Sequence, residues 1–166
     1  MGDNPKIEWL KRYLSLQRQV DNREETMARL ENAQYLPAMP QSDGSKHTPG
    51  RSDRVANATL RYMEYKKKVT PKIAAYKAQM QAIEDAVDAI DDPLEQEVLT
   101  LRYLEGEEGY KPMKWREVAL AMYHSDDEAD LTRVYRLHGA ALLSLKMEET
   151  GNDTKTIHQE IDGARD

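Results

Sequence analysis

The sequence predicts an all-α protein, built as a long helical hairpin or coiled coil followed by a compact three-helix module. Three observations lead there. Apolar residues recur in three- and four-residue steps over long stretches, the period of a helix with one buried face. Two pairs, Asn4-Pro5 and Asp92-Pro93, have the chemistry of helix starts, since Asn or Asp accepts orphan N–H groups and Pro needs no donor. A composition that is 33% charged and 39% hydrophobic favours elongated helices over a thick core.

The first helix is expected from Asn4-Pro5 to near Tyr35, where Pro37 and Pro40 stop it. Trp9, Tyr13, Leu16, Val20, Met27 and Leu30 form its stripe, with Ile7, Leu10 and Leu14 widening it. Residues 36–53, rich in Pro, Gly and Ser, read as a linker or long loop. The second helix is expected from Ser52 or Asp53 to Ile90. Val55, Thr59, Tyr62, Lys66, Val69, Ile73, Tyr76, Met80, Ile83, Val87 and Ile90 keep a four-three alternation, the seam of a left-handed supercoil. Because the phase survives Thr70-Pro71, a kink is expected there rather than a break. Two partners fit the seam: helix one folded back, or a second copy of the chain binding through the 54–90 heptads. Lys66-Lys67-Lys68 reads as a solvated charged face that could also touch phosphates.

After Asp92-Pro93, residues Leu94, Val98, Leu101 and Leu104 are expected to face inward, with Gly106 as a C-terminal cap. A short helix is expected from Met113 to Tyr123, turning Trp115, Val118, Ala119 and Met122 inward. A polar acidic turn leads to a last helix, from Leu131 to about Glu149. Its start has two registers. Ser125 with Glu128 would form a capping box and start it early; Asp130 would start it later and is preferred. The expected division is therefore a hairpin over 1–92, a module over 93–149 and a polar, disordered tail over 150–166.

The chain has no cysteine, so disulfides and thiolate metal sites are excluded. No phosphate-cradling glycine loop or zinc motif is present, and the sequence gives no catalytic residue, cofactor or metal ligand. A non-enzymatic role follows. Asp85/Asp88 and Asp91/Asp92 read as a helix face and a helix cap. No apolar run approaches a membrane span, and the N-terminus lacks a signal peptide, so a cytoplasmic protein is expected.

The segments DPLEQEVLTLRYLEG, WREVALAMY and VYRLHGAALLSL (residues 92–106, 115–123 and 134–145) carry a resemblance. Together they resemble sigma-70 region 4, and more closely the ArpU/RinA late-transcription regulators of Gram-positive phages. There a helical hairpin with a Pro- and Gly-containing linker precedes a region 4-like helix-turn-helix. The likeness extends from about residue 5 to 147. It departs at two places: Glu107 to Lys114 lengthen one loop, and Asp126, Asp127, Glu128 and Asp130 enlarge and acidify the turn before the last helix. The resemblance implies a phage-type transcription regulator in the host cytoplasm, with double-stranded DNA and RNA polymerase as partners. A small-terminase-like packaging adaptor, or an interaction module that has lost DNA binding, are the alternatives.

On a helical wheel Leu131, Val134, His138, Ala141 and Leu145 share one side of the last helix, flanked by Leu137 and Leu142. Thr132, Arg133, Arg136, Gly139, Ala140 and Leu143 share the other, which would face a DNA groove. Arg133 and Arg136 suit guanine or phosphate, Thr132 suits either, and small Gly139 and Ala140 allow close approach. Lys114 and Arg116, with Lys111, are candidate backbone anchors. Charge complicates this reading. The net charge is −6, and residues 93–149 are acidic overall while 51–90 hold the basic excess. His138, on the apolar side, reads as a hydrogen-bonded core histidine, and Trp115 as a core anchor.

Overall fold

The computed structural model describes residues 3–35 and 51–147. It is all-α. Helix α1 spans Pro5–Ala33 and α2 spans Arg51–Asp88, and the two pack antiparallel as a long hairpin. Smaller helices follow: α3 (Pro93–Leu99), α4 (Trp115–Tyr123) and α5 (Glu128–Ser144). Among the described residues no helix is long and apolar enough to cross a membrane.

Both Asx-Pro starts work as read. Asn4 Oδ1 accepts the Lys6 N–H at 3.0 Å, and Asp92 Oδ1 accepts the Leu94 N–H at 2.9 Å. Each cap relieves an orphan donor, worth about 1 kcal/mol.

The α2 seam is occupied by α1. Glu24 pairs with Lys77 at 2.8 Å, Arg23 lies 5.1 Å over the Tyr76 ring, and Thr59 bonds Gln34 at 3.3 Å. Tyr13 donates its hydroxyl to Glu84. Burial and this carboxylate push the tyrosine pKa up to about 12. Val20, Val69 and Ile73 form a small core in the middle of the hairpin. Towards the tip the seam opens: Lys66 is exposed and Val55 is 43% exposed. Helix α2 begins at Arg51, so 51–53 belong to it rather than to the linker, and it ends at Asp88 rather than at Ile90. The rest of the linker, 36–50, and the tail, 150–166, lie outside the described residues. Pro71 does not divide α2. The Thr70 hydroxyl folds back on the Lys66 carbonyl at 2.6 Å, an i−4 bond of the sort that accompanies helix bending.

The second, larger core joins both parts of the molecule. It contains Leu10, Tyr13 and Leu14 of α1, Ile83, Val87 and Ile90 from the end of α2, and Val98, Leu99, Tyr103, Val118, Ala119, Val134, Ala141, Leu142 and Leu145 from the segment after Pro93. One expected core position fails. Leu94 is 46% exposed, and Leu101 and Leu104 are only half-buried. For Leu101 and Leu104 the cause is a change of helical pitch: α3 runs on as a π-helical segment, Thr100–Glu105, closed by a Gly106 N–H to Leu101 carbonyl bond of 3.1 Å. The wider turn brings Val98 and Tyr103, five residues apart, to the core together. Leu94, in the first turn of α3, stays at the rim.

Candidate nucleic-acid interface

Helix α5 carries the face on which the sequence places the DNA-binding candidates. It starts earlier than the preferred register: its N-cap is Asp127, whose carboxylate accepts the Asp130 N–H at 2.9 Å. Asp130 lies within the first turn, so the expectation that it begins the helix is corrected, and Ser125 is not the cap either. A carboxylate at Asp127 answers the partial positive charge of the helix N-terminus. Backbone N–H groups hold the Asp127 pKa below the usual carboxylate value. The helix ends at Ser144, short of Glu149, because Leu145 turns extended (ψ 129°) and drops into the core. Before α5, α4 starts at Trp115 rather than Met113. His124 adopts the left-handed conformation (φ 57°) that terminates α4 and opens the turn over 124–127.

The inward side of α5 is as the wheel places it. Val134, Ala141, Leu142 and Leu145 are buried, and Leu131, Leu137 and His138 are half-buried. Tyr103 Oη lies 2.8 Å from His138 Nε2, and the Trp115 ring meets the imidazole edge-on at 4.7 Å. The Arg102 guanidinium stacks 4.3 Å over Trp115 and donates to the Met113 carbonyl, tying the long loop to this cluster. Desolvation and then the nearby Arg102 charge push the His138 pKa down to about 4. The neutral ring therefore accepts from the Tyr103 hydroxyl, whose own pKa burial raises.

Stability should follow that shift. The unfolded histidine takes up a proton near pH 6.5 and the folded one near 4, so this contribution is complete above 6.5 and lost as pH falls towards 4. We expect urea midpoints to decline over that window. His138→Gln, which keeps a hydrogen-bonding group, should flatten the decline. A profile unchanged by the substitution would remove His138 as its source.

The outward side carries Thr132, Arg133, Arg136 and Gly139, all exposed, with Ala140 half-buried and Leu143 86% exposed. Glu128, Ala129, Thr132, Arg133 and Arg136 line a shallow open depression on it. The acidic turn grips two of the cationic candidates. Arg116 bonds Asp126 Oδ2 through Nε (2.9 Å) and Nη2 (2.7 Å), and Arg133 pairs with Asp130 at 3.3 Å. Arg133 also lies 5.7 Å over the Tyr123 ring. Arg136 and Lys114 have no ion pair among the described residues. The structure thus brings Thr132, Arg133 and Arg136 onto one exposed helix face, while Arg116 is turned to the acidic loop and Lys114 stands just ahead of α4.

No protein-family model, curated protein or solved structure matches the chain.

The sequence reading missed the Arg102–Trp115–His138–Tyr103 cluster as a unit. Its members lie far apart in sequence, and only the π-helical turn aligns Tyr103 with α5. Among the described residues no group of three or more His, Asp or Glu side chains is placed to hold a metal ion.

Proposed function

We propose that α4 and α5 act as a helix-turn-helix that engages DNA through the outer face of α5, in a phage-type transcription regulator. The observation that carries this reading is Arg136: an exposed guanidinium in the middle of the outer face of α5, without a carboxylate partner among the described residues, between Thr132 and the small pair Gly139-Ala140. Such a face fits a major groove, where arginine reads guanine O6 and N7. The likeness of residues 92–145 to sigma-70 region 4 and to the ArpU/RinA regulators supports the same reading, and extends it to RNA polymerase as a second partner. Arg133 joins Arg136 on this face, and Lys114 and Arg116 stand where backbone anchors would be needed.

The test is selection of the purified chain against random duplex DNA at low and moderate salt, followed by Arg136→Ala on the enriched site. We expect a defined site that survives moderate salt, and a loss of about 1–3 kcal/mol in affinity with relaxed preference at one position. Unaltered affinity would remove Arg136 from the groove. Absence of enrichment at both salts would favour a second reading, docking of a protein such as RNA polymerase. That reading is supported by the acidic turn and by Leu143 and Tyr135, which are 86% and 50% exposed on α5.

A further inference from the structure

The tip half of the hairpin leaves an apolar groove open along one flank. Beyond the Lys77–Glu24 ion pair, Met27 of α1 and Tyr62, Met63 and Ile73 of α2 form its floor. Thr70 lines both stretches, which meet at it. Met63 is 61% exposed, and neighbouring Leu60 on α2 is 56% exposed. Apolar side chains of this size, clustered and wet on a helix, mark a contact surface.

The walls have opposite charge. On the α1 side stands Glu31, and on the α2 side stand Lys66 and Lys67. None of the three has an ion pair among the described residues; Lys66 only lies 5.7 Å over the Tyr62 ring. We propose that this groove is a dimer interface, filled by the same groove of a second copy of the chain.

Symmetry decides the occupant. A two-fold axis running along the hairpin sets the α1 wall of each copy over the α2 wall of the other, so Glu31 meets lysine twice in one operation. A two-fold axis crossing the hairpin would set Lys66 and Lys67 over their own copies, which like charges oppose. Other occupants lack this match. Residues 36–50 contain one acidic and one basic side chain, Asp43 and Lys46, and have no preference between the walls. The segment 148–166 is acidic overall and would repel Glu31. Nucleic acid would meet lysine on one wall but glutamate on the other. The dimer leaves the outer face of α5 out of its contact, so it stands or falls independently of DNA binding.

Sedimentation equilibrium of the full chain over micromolar concentrations tests this. We expect a monomer–dimer equilibrium that weakens as salt rises. Lys66→Glu with Lys67→Glu makes both walls acidic, and Glu31→Lys makes both basic. Each variant alone should raise the dimer dissociation constant at least tenfold, with helix content by circular dichroism unchanged. Mixing the two variants in equal amounts should restore a dimer, because each then supplies the charge the other lacks. That rescue separates a lost interface from a lost fold. A wild-type chain that stays monomeric would overturn the proposal, including the case where residues 36–50 of the same chain seal the groove. So would variants that dimerise like the wild type, or a mixture that stays monomeric.

Discussion

Gly106→Ala should lower the stability of the whole protein by about 2–5 kcal/mol, the sum of backbone strain and overpacking. Gly106 has φ 64° and ψ −157°, a region that side-chain-bearing residues scarcely enter. Space forbids a methyl group as well. A Cβ there would lie 2.5 Å from the Lys111 carbonyl oxygen and 2.7 Å from Leu14 Cδ1. Neither neighbour can yield cheaply. The Lys111 carbonyl accepts the Glu107 N–H at 2.9 Å, and Leu14 is buried against the main core. Two other glycines calibrate the result. Gly109, at φ 84°, has only Lys111 Cε at 3.8 Å, so alanine there should cost backbone strain alone. Gly139 has nothing within 4 Å and lies in a helix, so alanine should stabilise by about 0.5–1 kcal/mol. Urea unfolding of the three variants gives the ordering directly. A Gly106→Ala protein as stable as the parent would mean that the loop over 107–114 is not locked against α1.

Asp126→Asn combined with Asp130→Asn should raise DNA affinity by roughly tenfold to a hundredfold at low salt, on the view that two arginines become available for phosphate. These carboxylates hold Arg116 and Arg133 now. Both pairs are largely solvent-facing on the arginine side, so breaking them costs little stability. Asp127, the true cap, is untouched, and the loss of a first-turn charge at Asp130 costs only about 0.3–1 kcal/mol. The salt dependence should steepen, each added phosphate contact changing the logarithmic slope by about 0.9. Titration of the selected site by anisotropy at several salt concentrations measures both quantities. If affinity and slope stay where they were, the acidic turn does not restrain DNA binding, and the two arginines are surface charges only.

Local chemistry and simple periodicity were enough to read much of the fold. Asn4-Pro5 and Asp92-Pro93 are helix starts that any neighbour would leave intact, and the α2 heptads point to a seam whose inner half α1 covers. The inward face of α5 follows from a 100° step. What escaped was set by contacts distant in sequence or by a departure from regular pitch. Nothing local announces that Thr100–Glu105 widens to a π turn, which leaves Leu101 and Leu104 only half-buried and brings Tyr103 to His138. The α5 register was open to several acidic caps of equal propensity, and spacing alone does not choose Asp127 among them. The candidate DNA face was visible as a row of residues. Of the two pairs that partly neutralise it, Arg133–Asp130 follows from i,i+3 spacing on a helix, whereas Arg116–Asp126 depends on loop geometry that spacing does not encode.

The first turn of α1 and the last turn of α5 touch: Lys6 Nζ donates to the Leu142 carbonyl at 2.7 Å, and Leu10, Leu14, Leu142 and Leu145 belong to one core. That closure has a consequence for folding order. Contacts within helices form early because they close short loops, whereas this one spans nearly the whole described chain. On the ribosome, α1 and α2 are both made before the residues that complete their base. The distal hairpin cluster of Val20, Val69 and Ile73 can consolidate first, and the end of α2 and the π-helical segment can cover part of Leu10 and Leu14, but the core around them stays incomplete until α5 emerges. Rates of acquiring native structure should therefore be governed by the docking of α5 onto α3 and α4, which closes the core over the start of α1, and substitutions at Leu142 should slow folding more than substitutions of equal cost at Val20.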